Sequence, residues 1–339
     1  MSNSTSTAIL LGYTNSFKML NMSYMDSRVP PTVSIKSKKP LFSGITDGTL
    51  SLLAPVAAYW LFSGLFHLID TFKLAEKYRI HPSKEVESRN KVSRLGVLVQ
   101  VLIQHVIQTV TGLVMVYFDP EPVTGFENYQ LWSWRQALPK WIPNYVIYLG
   151  YQYGISLLKL LIGFFIIDSW QFWLHYTMHM NKTLYKKFHA HHHRLYVPYA
   201  YGALYNNPME GFFLDTLGSG IAAMVTRLTH VEQTILYTFA TMKTVDDHCG
   251  YALPWDPFQW LFPNNAVYHD IHHQSFGIKS NFSQPFFTLW DTICNTKFPQ
   301  FKEYEKKQRR VTVDRYKRFL SEREFDRQKK LKLLSKKMS

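Results

Sequence analysis

Residues 49–69 read TLSLLAPVAAYWLFSGLFHLI, 21 positions without a Lys, Arg, Asp or Glu. A helix rises 1.5 Å per residue, so this length crosses the ~30 Å hydrocarbon core of a bilayer, and the stretch predicts a membrane span. Leu95 to Phe118 is a second uncharged run, and Tyr145 to Trp173 is a third, interrupted by Lys159 and Asp168. Phe212 to Ala240 is apolar but broken by Asp215, Arg227, His230 and Glu232, a pattern that predicts a hairpin of two half-spanning or re-entrant helices. Buried helices of a large soluble protein would rarely run uncharged for more than about 20 residues, let alone twice. The expected fold is an all-α integral membrane protein with about four membrane helices or hairpins and a cytosolic helical cap. Three parts are expected: a lumenal, flexible tail at 1–46, a membrane-embedded domain at 47–300 and a basic cytosolic tail at 301–339.

Charge sets the orientation. Between the first two runs lie Lys73, Lys77, Arg79, Lys84, Arg89, Lys91 and Arg94, and the positive-inside rule puts this loop in the cytosol. Asp119 to Asn144 carries only Arg135 and Lys140 and would face the lumen, returning the chain to the cytosol after the third run. Lys36, Lys38 and Lys39 on the leading tail weigh against this arrangement. Of the sequons, Asn3 and Asn21 should then be lumenal, and Asn181 and Asn281 cytosolic. The net charge of +14 is mostly a tail effect, since Lys302 to Ser339 holds 15 Lys or Arg against 6 Asp or Glu. A basic segment after membrane spans suits anionic headgroups better than nucleic acid. The chain closes on Lys336, Lys337, Met338 and Ser339, which looks like a dilysine signal for return to the endoplasmic reticulum. Cys249 and Cys294, the only cysteines, lack metal-ligand spacing, and there is no Gly-rich dinucleotide fingerprint.

The chemistry lies in three histidine clusters: His175 and His179; His189, His192 and His193; His269, His272 and His273. The first is spaced i, i+4 and the others i, i+3, i+4, so on helices each would turn its imidazoles to one side. A single i, i+4 pair is more often a satisfied core or surface histidine, but three clusters with repeated spacing point to metal. Eight imidazoles exceed the three or four of a single zinc site, so two ions are expected. His191 falls outside the repeated spacing and is expected to face solvent or sit behind the ligands. A zinc hydrolase would want His-Glu-x-x-His, yet neither His175 nor His269 is followed by Glu, and the Glu-x-x-His of soluble di-iron bundles is absent from the sequence. What remains is an all-nitrogen, redox-capable pair of ions, with iron the expected metal, suited to oxygen activation at a lipid carbon-hydrogen bond. A His-rich metal transporter or sensor would place its ligands within spans near the midplane, whereas these clusters follow a span in Lys-rich sequence.

His-x-x-x-His followed by His-x-x-His-His, and a second His-x-x-His-His roughly 75 residues on, resembles the fatty acid hydroxylase superfamily of non-haem di-iron membrane enzymes. The stretches DGTLSLLAPVAAYWLFSGLFHLIDTFKLAEKYRIHPS, YVPYAYGALYNNPMEGF, TMKTVDDHCGYALPWDPFQWLFPNNAVYHDIHHQ and NFSQPFFTLWD are similar to those of fungal sphinganine C4-hydroxylases, over Asp47 to Arg318. The resemblance implies the eight clustered histidines as ligands, with His248 of DDHCGY as a ninth. It also matches Asp168 and Trp170 to an Asp-x-Trp element, with Asp168 orienting a ligand or capping a polar face. Asn207, Asp247, Glu210, Asn281 and Asp291 are candidates for supporting the ligands or capping loops, and His67 and Asp70 for lining lipid access. Tyr176 departs from the Arg that many relatives carry there. The implied reaction uses dioxygen to hydroxylate carbon 4 of free sphinganine or its ceramide. Its electrons would come from NAD(P)H through an external cytochrome b5 and its reductase, with ceramide synthase a further candidate partner. Zinc could replace iron during purification, and a sterol-modifying oxidase or lipid desaturase of the same superfamily is the nearest alternative.

Overall fold

The structure, a computed structural model, describes residues 20, 22–82, 86 and 88–338, so Asn3, Asn21 and Lys84 lie outside the described residues. Helices dominate. In chain order the first are α1 (Asp47–Thr71), α2 (Arg94–Phe118), α3 (Glu127–Ala137), α4 (Asn144–Leu149), α5 (Ile155–Met180) and α6 (Lys182–Lys187). They are followed by α7 (Pro208–Gly211), α8 (Gly218–Thr226), α9 (His230–Asp247), α10 (Pro257–Leu261), α11 (Ala266–His273), α12 (Leu289–Ile293) and α13 (Phe301–Met338). The expectation of a purely helical chain misses a small antiparallel ribbon pairing β1 (Lys36–Ser37) with β2 (Val123–Thr124). That ribbon, with Met25 fully buried, also means that the described part of the leading segment is packed rather than loose.

Among the described residues three helices are long and apolar enough to cross a membrane: α1, α2 and the continuous Asn144–Met180, in which a π turn at Gly150–Gly154 joins α4 to α5. Their outward faces are apolar: Leu61 is 76% exposed, Val106 61% and Leu157 59%. Water would penalise such surface, and hydrocarbon would not. In the fourth run two helices meet at a turn: α8 ends where Arg227 turns left-handed (φ 50°) and α9 begins at His230. Nine residues of α8 reach only about 14 Å, too short to span alone.

The chain divides into two compact units, 1–56 with 108–167 and 216–239, and 57–107 with 168–215 and 240–339. In the first, α1 and α2 pack closely because glycines meet branched chains: Gly112 lies against Leu52, and Gly48 against Val116. In the second, Tyr59, Val101, Leu195, Val245 and Ile271 belong to one apolar core, against which Phe301 and Tyr304 of α13 pack. Arg315 of α13 donates to the Ile80 carbonyl (3.1 Å), so the basic tail is a helix docked at its near end.

In the first unit, α9 starts with a reciprocal cap: the Thr229 N–H donates to Glu232 Oε2 (2.7 Å) and the Glu232 N–H to Thr229 Oγ1 (3.3 Å). The same carboxylate receives Lys159 Nζ of α5 at 2.8 Å, both groups being largely buried. We expect Glu232→Ala, which removes a cap and half of a buried ion pair, to cost about 2–4 kcal/mol. Lys159→Met with Glu232→Gln should be milder, because Gln keeps the cap and no charge is stranded. Thermal unfolding in detergent checks both, and an unchanged transition for Glu232→Ala would show that neither contact matters to stability.

Candidate metal centre

Two short elements of the second unit, a 3-10 turn and α11, carry most of the histidines, and the ends of α5 and α9 supply the rest. His175 and His179 sit at the end of α5, one helical turn apart. Asn181 then caps α6 by accepting from the N–H groups of Thr183 (2.9 Å) and Leu184 (3.1 Å), which stops α5 and turns the chain. The second cluster lies on a tight 3-10 turn, His189–Arg194, rather than on an α-helix. The third lies on α11, which begins where Asn265 accepts from Val267 (3.1 Å) and Tyr268 (3.0 Å). His248 follows directly on α9.

All nine histidines come together, in two groups. His175, His179, His189, His193 and His272 form one, and His192, His248, His269 and His273 the other, with ligand atoms within 4.8 Å of one another in each. The i, i+4 partners share a group, whereas the adjacent pairs His192–His193 and His272–His273 are split between them. The clusters therefore do not each supply a single group; each of the last two contributes to both.

Tautomers follow from the partners, since a carbonyl can only accept. His175 Nδ1 donates to Phe282 O (2.8 Å), His192 to Tyr205 O (3.1 Å), His248 to Thr244 O (2.8 Å), His272 to Ser280 O (2.8 Å) and His273 to Leu195 O (2.8 Å). His189 Nδ1 meets the Glu210 carboxylate. With the proton on Nδ1, each Nε2 carries a lone pair. Yet His175 and His189 bring their Nε2 atoms within 3.0 Å, and His192 and His273 within 3.1 Å. Two lone pairs cannot hydrogen-bond to each other, and His272 Nε2 is buried without any partner. A cation with Nε2 atoms about 2.0–2.1 Å away would reconcile these separations, so the residues fit a metal centre.

Burial keeps the rings neutral and ready to ligate. It pushes His192 down to about 4 and both His248 and His272 down to about 3, and it holds His189, His193, His269 and His273 well below the ordinary histidine range. Burial, followed by the neighbouring Asp215, pushes the Glu210 carboxyl up to about 8.

The other candidates act at a remove. Asp168 accepts from the N–H groups of Phe286 (3.0 Å) and Phe287 (2.9 Å) and so anchors the loop whose Phe282 carbonyl orients His175. Asp291 holds the same loop through the N–H groups of Phe282 (3.0 Å) and Ser283 (2.7 Å), and the Asn281 amide reaches Tyr268 O (3.0 Å). Asn207 caps α7 through Met209 N–H (3.0 Å), and Asp247 pairs with Lys243. His191 is half-buried and stacked on Tyr205 rather than facing solvent. Sequence reading gave His81 no role, yet it meets Asp270 (2.9 Å) between two ligands of α11, and it gave the orienting carbonyls none because any residue can supply one.

A family model described as fatty acid hydroxylase matches residues 160–296. The sphingolipid C4-hydroxylase of Saccharomyces cerevisiae is 62% identical over 91% of this chain and 88% of its own. That of Schizosaccharomyces pombe is 45% identical over 77% and 92%, and sphinganine C4-monooxygenase 1 of Arabidopsis thaliana 40% over 75% and 89%. No solved structure matches the chain. The chain belongs to the fatty acid hydroxylase family. Within it the relatives place the chain among the sphingolipid C4-hydroxylases, oxidoreductases of the monooxygenase type.

Glu210→Gln keeps the shape but removes the carboxylate behind His189, so we expect metal affinity to fall by about 10–100-fold. Competition against a chelator measures it, and unaltered retention would remove Glu210 from the metal's support.

Proposed function

We propose that this chain holds two iron ions and adds one oxygen atom from dioxygen at carbon 4 of a long-chain sphingoid base, free or as ceramide, giving the phyto form. The observation that carries the reading is the division of nine neutral imidazoles into a group of five and a group of four, in a chain 62% identical to a sphingolipid C4-hydroxylase. His175, His179, His189, His193 and His272 would hold one ion, and His192, His248, His269 and His273 the other. Bound iron supplies the oxygen chemistry that an unactivated carbon-hydrogen bond requires. The protein's part is to keep Nε2 turned inward through the carbonyls and Glu210, to exclude water by burial, and to hold carbon 4 in place. Electrons come from NAD(P)H through cytochrome b5 and its reductase, partners that approach from the cytosol. The protein resides in the endoplasmic reticulum membrane, a placement supported by the apolar helices and by its similarity to a sphingolipid C4-hydroxylase.

Purified protein in bilayers, given sphinganine and dihydroceramide, a cytochrome b5 electron system and labelled dioxygen, should yield a 4-hydroxylated product carrying one labelled oxygen. An unsaturated product would favour desaturation, and an unlabelled hydroxyl would exclude dioxygen as the source.

His192→Ala or His272→Ala should abolish hydroxylation and lower the metal content, while His191→Ala should be far milder. Metal analysis alongside turnover checks this, because zinc can occupy the site on purification. The reverse pattern would overturn the ligand assignment.

For topology, we expect no glycan at Asn181, whose side with the metal centre is cytosolic in this reading; a glycan there would refute it. Asn281 is fully buried and gives no information by glycan mapping.

A further inference from the structure

Beside the two histidine groups, in the second unit, lies a cavity with room for about one water-sized group, lined by Gln171, His189, His192, Asn206, Glu210 and Asp215 among others. Its lining includes three carboxylates and no Lys or Arg. Two of the three are engaged by cationic or ring partners outside or at the edge of the cavity: Asp247 pairs with Lys243, and Glu210 meets His189 through Oε1. Glu210 Oε2 is buried and has no partner. Asp215 is held by two neutral amides, Gln171 Nε2 at 3.0 Å and Asn206 Nδ2 at 3.3 Å, and has no cationic partner among the described residues. A carboxylate taken out of water without a counter-charge is costly, and a cationic ligand would offset that cost.

We propose that Asp215 binds the ammonium group of a free sphingoid base and so makes the chain select the free base over its N-acylated form. This rests on the function proposed above. In a sphingoid base the nitrogen is on carbon 2, three bonds from carbon 4, so the two atoms are at most about 4 Å apart. Whatever holds the nitrogen while carbon 4 is at the metal centre must line the same cavity as the histidines, and Asp215 does. An ammonium group is about the size of a water molecule, and its three donors suit Asp215 together with the free Glu210 Oε2. Ceramide offers a neutral amide with one donor and an acyl chain, and it leaves the carboxylate without a counter-charge. The π turn at Phe212–Leu217 carries Asp215 between α7 and α8.

The test compares the full-length protein in bilayers with Asp215→Asn and Asp215→Glu, by equilibrium binding of radiolabelled sphinganine and N-acetylsphinganine and by kcat/KM for sphinganine and dihydroceramide. Wild type should favour the free base. Asp215→Asn should weaken sphinganine binding and kcat/KM by at least about 30-fold, with a much smaller change for the acylated forms. Asp215→Glu should restore the preference in part, which separates charge from folding. An unchanged preference in Asp215→Asn, or equal losses for free and acylated substrates with no rescue by Glu, would overturn the proposal. If wild-type protein binds sphinganine but forms no 4-hydroxylated product, the functional reading fails while the binding comparison still decides the role of Asp215.

Discussion

The hydrogen bonds from histidine Nδ1 to fixed acceptors govern everything around the centre. Each imidazole has two nitrogens, and committing one proton to a carbonyl leaves the other nitrogen with only a lone pair to offer. His175, His192, His248, His272 and His273 are committed in this way, and the rings then converge lone pair to lone pair. The fold holds an arrangement that its own atoms do not satisfy. Burial is non-directional and does not choose which nitrogen turns inward, so the orientation falls to these acceptors. The loop 280–287 supplies two of them and is tied by Asp168, Asp291 and Asn281.

Much of this was legible in the sequence, for physical reasons specific to each element. Thr49 to Ile69 and Leu95 to Phe118 announce themselves because hydrocarbon tolerates few charges, and the structure has long helices there. The interruptions in Phe212 to Ala240 marked a break between two helices, although the turn at Arg227 and the capping box at Thr229 and Glu232 show where it bends only in three dimensions. The histidines were legible because ligation depends on side-chain identity. Their orienting partners were not, because Ser280, Tyr205 and Leu195 contribute carbonyls that any residue carries. Asp215 read as a charge interrupting an apolar run; only the fold puts it beside Gln171, from 44 positions away.

The split of adjacent histidines also departs from simple helical reasoning. On α11 the i, i+3, i+4 spacing does keep side chains on one face, but a face about 100° wide can serve two neighbouring centres. His189 and His193 turn to one group while His192 between them serves the other, and α11 repeats the device with His272 against His269 and His273. The two groups thus share the turn at His189–Arg194 and α11, while α5 serves only the first and the end of α9 only the second.

Chain order gives this shared construction a direction in time. Once residue 193 has been synthesised, the five-histidine group has four of its members, His175, His179, His189 and His193, and waits only for His272. The four-histidine group then has just His192, with His248, His269 and His273 still to come. Membership of one group is thus nearly complete early in the chain, but the acceptors that orient its rings come later, Glu210 for His189 and the Phe282 carbonyl for His175, whereas the other group also waits for α9 and α11. Synthesis of α11 completes the membership of both, because that helix carries the last member of the first group, His272, and two members of the second, His269 and His273.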